Sequence, residues 1–252
     1  MRPGSSSCLL TVMSGGFSPA QLPNLAIWLD ASNYGSLTFN GGDISQWNDL
    51  SANGNHIAQG TASAQPTYEA AGINGKPALD FDNTDFLTIA DNATLSGSQH
   101  FIVAVVKRVT DTGAAQNICG KFVTGSSQRE YCIGVDSGDK FFGQASTTGG
   151  TGAGLVTSVS TQAATVDTAF LLAGWTDGVN NNVSVNNANT DADAFTPPIF
   201  DGTSGFYVGQ GGSGGAFFNG MVSEVIKTNG DPGAGLRLAT IQYLAAKWGV
   251  TI

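Results

Sequence analysis

The nine residues FIVAVVKRV, Phe101 to Val109, decide the fold. They form the longest apolar run of strand character, apolar on both faces at the start and polar from Lys107 and Arg108. A run of this kind suits a central strand that leaves the core at one end. Its expected neighbour is FLLAGW, Phe170 to Trp175, the two forming the middle of a packing layer.

Working outward, further strand-length segments read at Leu25 to Leu29, Ala78 to Phe81, Phe86 to Ile89, Glu130 to Val135 and Phe141 to Ala145. Others follow at Leu155 to Val159, Ala169 to Trp175, Val183 to Asn187, Gly205 to Gly209 and Phe217 to Lys227. Many short strands separated by turn residues read as an all-β sandwich. The Gly-rich stretches Thr147 to Gly154 and Gly209 to Gly215 open no helix and lack a Lys followed by Ser or Thr, so they read as loops and not phosphate cradles. One helix closes the chain, beginning near Asp231-Pro232 and ending at Gly249, with Leu238, Ile241, Ala245 and Trp248 on one face and Leu244 alongside.

Composition supports this architecture and narrows the function. Charged residues make up 12% of the 252, and Gly, Ser, Thr, Asn and Asp carry most of the polarity. The formal charge is −9 and the ten Lys and Arg are scattered, which argues against nucleic acid as a partner. No segment reaches the length of a membrane span, and the apolar run Cys8 to Met13 is shorter than a signal-peptide core. Residues 1–16 read as an N-terminal arm and 17–252 as a single domain; a start at Met13 is the alternative to one at Met1. Cys8, Cys119 and Cys132 lack zinc spacing. Cys119 and Cys132 either bridge across a hairpin or sit as two small buried residues.

Four runs then carry a resemblance: LAIWLDAS from Leu25, ISQWNDLSANGNH from Ile44, QPTY from Gln65 and INGKPALDFD from Ile73. Together with FYVGQGGSGGAFFNGMVSEVI from Phe206 and YLAAKWGV from Tyr243, they resemble landmarks of concanavalin A-like, laminin G-like jelly-roll domains of bacterial and phage proteins. The resemblance implies a two-sheet antiparallel jelly-roll β-sandwich with one C-terminal helix packed on it. It also implies a family whose members bind glycans, bind calcium or build surfaces. Read physically, Asn48, Asp49 and the Asn53-Gly54 pair organise a loop, and Trp28, Trp47 and Trp248 anchor the core.

Catalytic chemistry finds no support in the sequence. Hydrolases of this fold need two carboxylates on one strand. The only Glu residues are Glu69, Glu130 and Glu224, far apart, while Asp80 and Asp82 enter a turn. His56 and His100 have no Ser in a strained elbow to serve. The expectation is therefore a non-enzymatic module. One form of it is a virion component, a head decoration, fibre or tail-associated protein contacting other virion proteins or its own copies. The alternative is a secreted or cell-surface glycan-binding module, and the remote alternative is a glycoside hydrolase.

For glycan, the candidate residues are Tyr131, Phe142, Trp175 and Tyr207 as aromatics, with Asn186 and Asn187 (and Asn180 to Asn182) as polar partners. No cofactor is required. Calcium remains open, with Asp30, Asp49, Asp80, Asp82 and Asp85 as candidate ligands.

Overall fold

The computed structural model describes residues 16–123, 125–212 and 215–252. The N-terminal arm, Cys8 and the Met13 start lie outside the described residues, apart from Gly16.

The described residues are all-β with one α-helix, at the C-terminal end. Strands β1 (Leu25–Asp30), β2 (Leu37–Asn40), β3 (Asp43–Trp47), β4 (Ile57–Ala58), β5 (Thr67–Ile73) and β6 (Lys76–Phe81) come first. Then follow β7 (Leu87–Ile89), β8 (Phe101–Arg108), β9 (Gln116–Val123), β10 (Gln128–Val135), β11 (Lys140–Gly149) and β12 (Leu155–Ala163). The last are β13 (Ala169–Thr176), β14 (Asn180–Val185), β15 (Ala188–Ala194), β16 (Phe206–Val208) and β17 (Gly220–Thr228), before helix α1 (Ala234–Trp248). Each segment expected to be a strand contains one, but β17 begins only at Gly220, after Phe217 to Asn219, and β14 ends at Val185, leaving Asn186 and Asn187 in the turn that follows. Sequence reading missed β2, β3, β4, β5, β9 and β15, which are polar, short or mixed in pattern.

All pairs are antiparallel and join into one network. Two long runs stand out within it. One is β1-β17-β8-β13-β14-β15. The other is β4-β7-β16-β9-β10-β11-β12. Strands β3, β5 and β6 link them at one side. At the other, the Val159 N–H donates to Asp191 Oδ2 at 2.9 Å, so the network nearly closes.

The central strand explains the layering. Ile102, Ala104 and Val106 enter the main core, while Phe101, Val103 and Val105 enter a second core beneath α1. The expected neighbour β13 pairs along its whole length and divides the same way, with Phe170 and Leu172 on one side and Leu171 and Ala173 on the other. Each of the larger side chains among them, Val, Ile, Leu or Phe, contributes about 1.5–3 kcal/mol on burial. The polar end of β8 differs from expectation. Arg108 is buried, donating at 2.7 Å to Asp139, at 2.5 Å to Asp111 and at 3.2 Å to the Ala164 carbonyl, because charged partners at the rim replace solvent.

Helix α1 buries Ile241, Leu244, Ala245 and Trp248 as its spacing predicts. Leu238 does not follow them; it is 40% exposed, and the buried stripe runs instead through Thr240, whose hydroxyl donates to the Leu236 carbonyl. Asp231 accepts the Gly233 N–H and pairs with Arg237, and Gly249 closes the helix in the left-handed region at φ 67°.

The two described cysteines are free. Although β9 and β10 form a hairpin, Cys119 points into the main core and Cys132 to the opposite face, so no bridge is possible.

Candidate functional site

Strand β10 repeats the two-faced apolar pattern of β8. Tyr131, Ile133 and Val135 enter the main core, while Cys132 points outward with Phe122 of β9 and Phe142 of β11. Here no described helix covers the outer face. Cross-strand partners show which residues share it: Thr88 opposes Tyr207, Tyr207 opposes Gly120, Gly120 opposes Cys132, Cys132 opposes Gln144 and Gln144 opposes Thr157.

Over this face lies a groove of about 320 Å³. Phe122, Phe142, Leu155 and Val159 form its apolar part; Asn117, Arg129, Asp136, Ser137, Gln144 and Thr157 form its polar rim. Volume and mixed lining match a site for a small polar ligand with apolar faces. Phe142 packs over Gly134, its cross-strand partner, where a Cβ would meet the ring at 2.8 Å. Gln144 donates one amide N–H to Thr157 Oγ1 at 2.8 Å and accepts from Cys132 Sγ at 3.3 Å. The Arg129 guanidinium lies 5.9 Å from the Phe122 ring centroid. Asp136 accepts the Gly138 and Lys140 N–H groups, each at 2.8 Å, which shapes the rim turn. Burial pushes the Cys132 thiol well above its ordinary pKa, so it is no nucleophile here.

The expected glycan residues separate. Phe142 lines the groove. Tyr207, half-buried, sits on the same face three strands away, roughly 14 Å by strand spacing, beside Phe86. Tyr131 is a core residue at 1% exposure, with its hydroxyl on the Leu95 carbonyl at 2.9 Å and its ring stacked on His100. Trp175 and Asn187 meet at a different groove of about 290 Å³ against α1. There the Arg237 guanidinium already covers the indole at 4.7 Å, so the ring face is occupied. Asn186 Oδ1 accepts the Leu171 N–H at 2.8 Å, and its φ of 52° marks a turn residue. Asn181 is buried between the Gly143 carbonyl and Ser158.

The calcium candidates also separate. Among the described residues no group of three or more His, Cys, Asp or Glu is placed to hold a metal. Asp49 accepts from the backbone of Trp28, Ser51 and Asn55, the loop-organising role its position predicts. Asp30 accepts from Ser32 and pairs with Lys247 at 2.6 Å. Asp82 caps a turn through Thr84, and Asp85 accepts the Asp82 N–H. Burial raises Asp85 to about 6, and burial followed by the nearby Glu69 charge raises Asp80.

No family model matches the chain, and no curated protein matches it. Solved structures do. The binding domain of Paraclostridial Mosquitocidal Protein 1 superposes with TM-score 0.59 at 10% identity, over 87% of this chain and 52% of that one. Trypanosoma rangeli sialidase in complex with sialic acid gives TM-score 0.59 at 14% identity, over 89% of this chain and 33% of the enzyme. Domain 4 of AbnA, a GH43 extracellular arabinanase from Geobacillus stearothermophilus, solved with arabinotriose, gives TM-score 0.59 at 14% identity, over 88% of this chain and 99% of the domain. The chain thus spans about half of the toxin domain's chain and a third of the sialidase. At these identities the likeness shows fold alone, an all-β architecture of antiparallel strands. Among the described residues, no helix is long and apolar enough to cross a membrane.

Proposed function

We propose that the chain is a non-catalytic carbohydrate-binding module, built as a two-sheet antiparallel jelly-roll sandwich, that holds an oligosaccharide in the groove over β9 to β12. The observation that carries this reading is the outer face of β10, on which no described helix packs and where apolar floor residues and amide, hydroxyl and guanidinium groups line one groove. Sugars present apolar ring faces and a hydroxyl rim, and this lining offers a surface for each. The arabinotriose complex of the AbnA domain, which this chain matches over nearly the whole of that domain, supports a sugar over other ligands of similar size. These likenesses favour glycan binding over assembly on a particle. Binding needs no cofactor in this reading, and the module works outside the cell.

The test is a glycan array spanning plant, bacterial and host oligosaccharides, followed by titration calorimetry with the best ligand. Gln144→Ala removes a half-buried rim amide with little loss of packing. It is expected to weaken binding about tenfold, equivalent to about 1.4 kcal/mol, while the melting temperature stays put. An array with no ligand, or unchanged affinity in Gln144→Ala, overturns the reading.

A further inference from the structure

A group of buried charges lies between β9, β10 and residues 91–97, apart from the groove. Lys121 on β9 has no exposed surface. Its Nζ lies 2.6 Å from Asp91 Oδ1, 2.9 Å from Glu130 Oε1 and 2.9 Å from Ser96 Oγ. Glu130 is 1% exposed and accepts the Gly202 N–H at 3.1 Å. A second buried cation, Lys227, donates to the Leu95 carbonyl at 2.7 Å and sits 5.0 Å from the Tyr131 ring centroid. His100 stacks on the same ring. An amine, a carboxyl carbon and a second carboxyl group are thus held together in a site largely closed to water.

We propose that Lys121 and Asp91 condense to an intramolecular isopeptide bond, with Glu130 carrying the protons. The Lys121 Nζ attacks Asp91 Cγ, an N–C bond forms and one Cγ–O bond breaks. The two protons that Nζ gives up leave with the departing oxygen as water, relayed by the Glu130 carboxyl group. Nothing is oxidised or reduced, and no co-reactant is needed.

Three features favour the step. Fixed geometry replaces a bimolecular encounter, since the Asp91 oxygen already touches the amine. Condensation removes one positive and one negative charge from a poorly solvated interior that already holds Lys227. Asp91 retains 29% of its side-chain exposure, which gives the released water a way out. Burial, opposed by the Lys121 charge, raises Glu130 to about 7, so both its acid and base forms are populated near neutral pH.

Denaturing intact-mass spectrometry of the reduced full chain tests the proposal directly. The expected mass is one water below that of the sequence. Digestion should yield a branched peptide joining the segments around Asp91 and Lys121, and Asp91→Ala and Glu130→Gln should each show their full mass. A wild-type chain at full mass, a missing water without the branched peptide, or an Asp91→Ala chain that still lacks a water overturns it. None of these outcomes bears on sugar binding, which Gln144→Ala tests separately.

Discussion

Glu224 offers the sharpest test of how the helix is held. The residue lies wholly buried on β17, and its two oxygens serve three donors. Oε1 accepts the Trp28 indole N–H at 2.8 Å; Oε2 accepts the Trp248 indole N–H and the Lys247 ammonium, both at 2.7 Å. One carboxylate therefore ties β17 to β1 and to α1. In Glu224→Gln the volume is kept, yet one oxygen becomes an NH₂ group facing a donor. At least one indole or ammonium bond is lost, and each bond to a charged group is worth about 1.5–3 kcal/mol. Breaking a buried charge pair costs about 3–5 kcal/mol when the partner is left alone. Lys247 keeps Asp30 at 2.6 Å and is 22% exposed, so the lower end applies. A loss of about 3 kcal/mol is expected, or roughly 6–12 °C in melting temperature for a domain of this size. Urea unfolding followed by tryptophan fluorescence measures it, and Lys247→Met, which leaves the Glu224 carboxylate buried without its cation, is expected to cost about as much. Were Glu224→Gln to unfold within 1 kcal/mol of wild type, apolar contacts alone would hold the helix and the reasoning would be refuted.

Other consequences can be checked on the same preparations. His100 is fully buried, and burial followed by the Lys227 charge lowers its pKa from 6.5 to about 3; the unfolded chain therefore binds more protons between those values. Stability is lost as pH falls through that window, by up to about 5 kcal/mol, and His100→Phe should flatten this part of the profile in acid melts; an unchanged slope contradicts it. Gly120→Ala places a Cβ 2.3 Å from the Tyr131 carbonyl at a φ of 153°, so a loss of about 3 kcal/mol or more is expected in denaturant titration. Asp49→Ala strands the Trp28, Ser51 and Asn55 N–H groups and should cost about 2–4 kcal/mol. Wild-type melts are expected to be equal in calcium and in chelator; a rise with calcium would show an ion bound to the folded state.

The sequence makes the framework legible because its central strands must be apolar on both faces, and Phe101 to Arg108 shows this directly. Turn chemistry at Asp49 and Gly54, and the end of the helix at Gly249, follow from local preferences that the structure repeats. The short or polar strands β2, β3, β4, β5 and β15 were not legible, because pairing with neighbours rather than side-chain pattern maintains them. The groove was legible only through Phe142. Arg129, Gln144 and Asn117 carry no motif, and what joins them is register: Arg129 opposes Phe122, and Gln144 opposes both Cys132 and Thr157. One available signal was the β10 run Tyr131 to Val135, apolar on both faces like β8, which calls for cover on its outer side too.

That comparison also limits how the groove can recognise a sugar. Phe122 and Phe142 are each only 4% exposed, and Phe142 is committed to the space above Gly134. Neither ring is free to offer a full face for stacking, so the aromatics supply a floor and little more. Selectivity then rests on the rim, where Gln144 keeps a second amide N–H beyond the one given to the hydroxyl of Thr157, an exposed residue. A ligand that satisfies these groups replaces water at both, whereas one lacking the matching hydroxyls leaves them unpaired. Discrimination among sugars is therefore expected to follow hydroxyl stereochemistry more than ring hydrophobicity, and Thr157→Val should broaden the array profile while Gln144→Ala weakens it throughout.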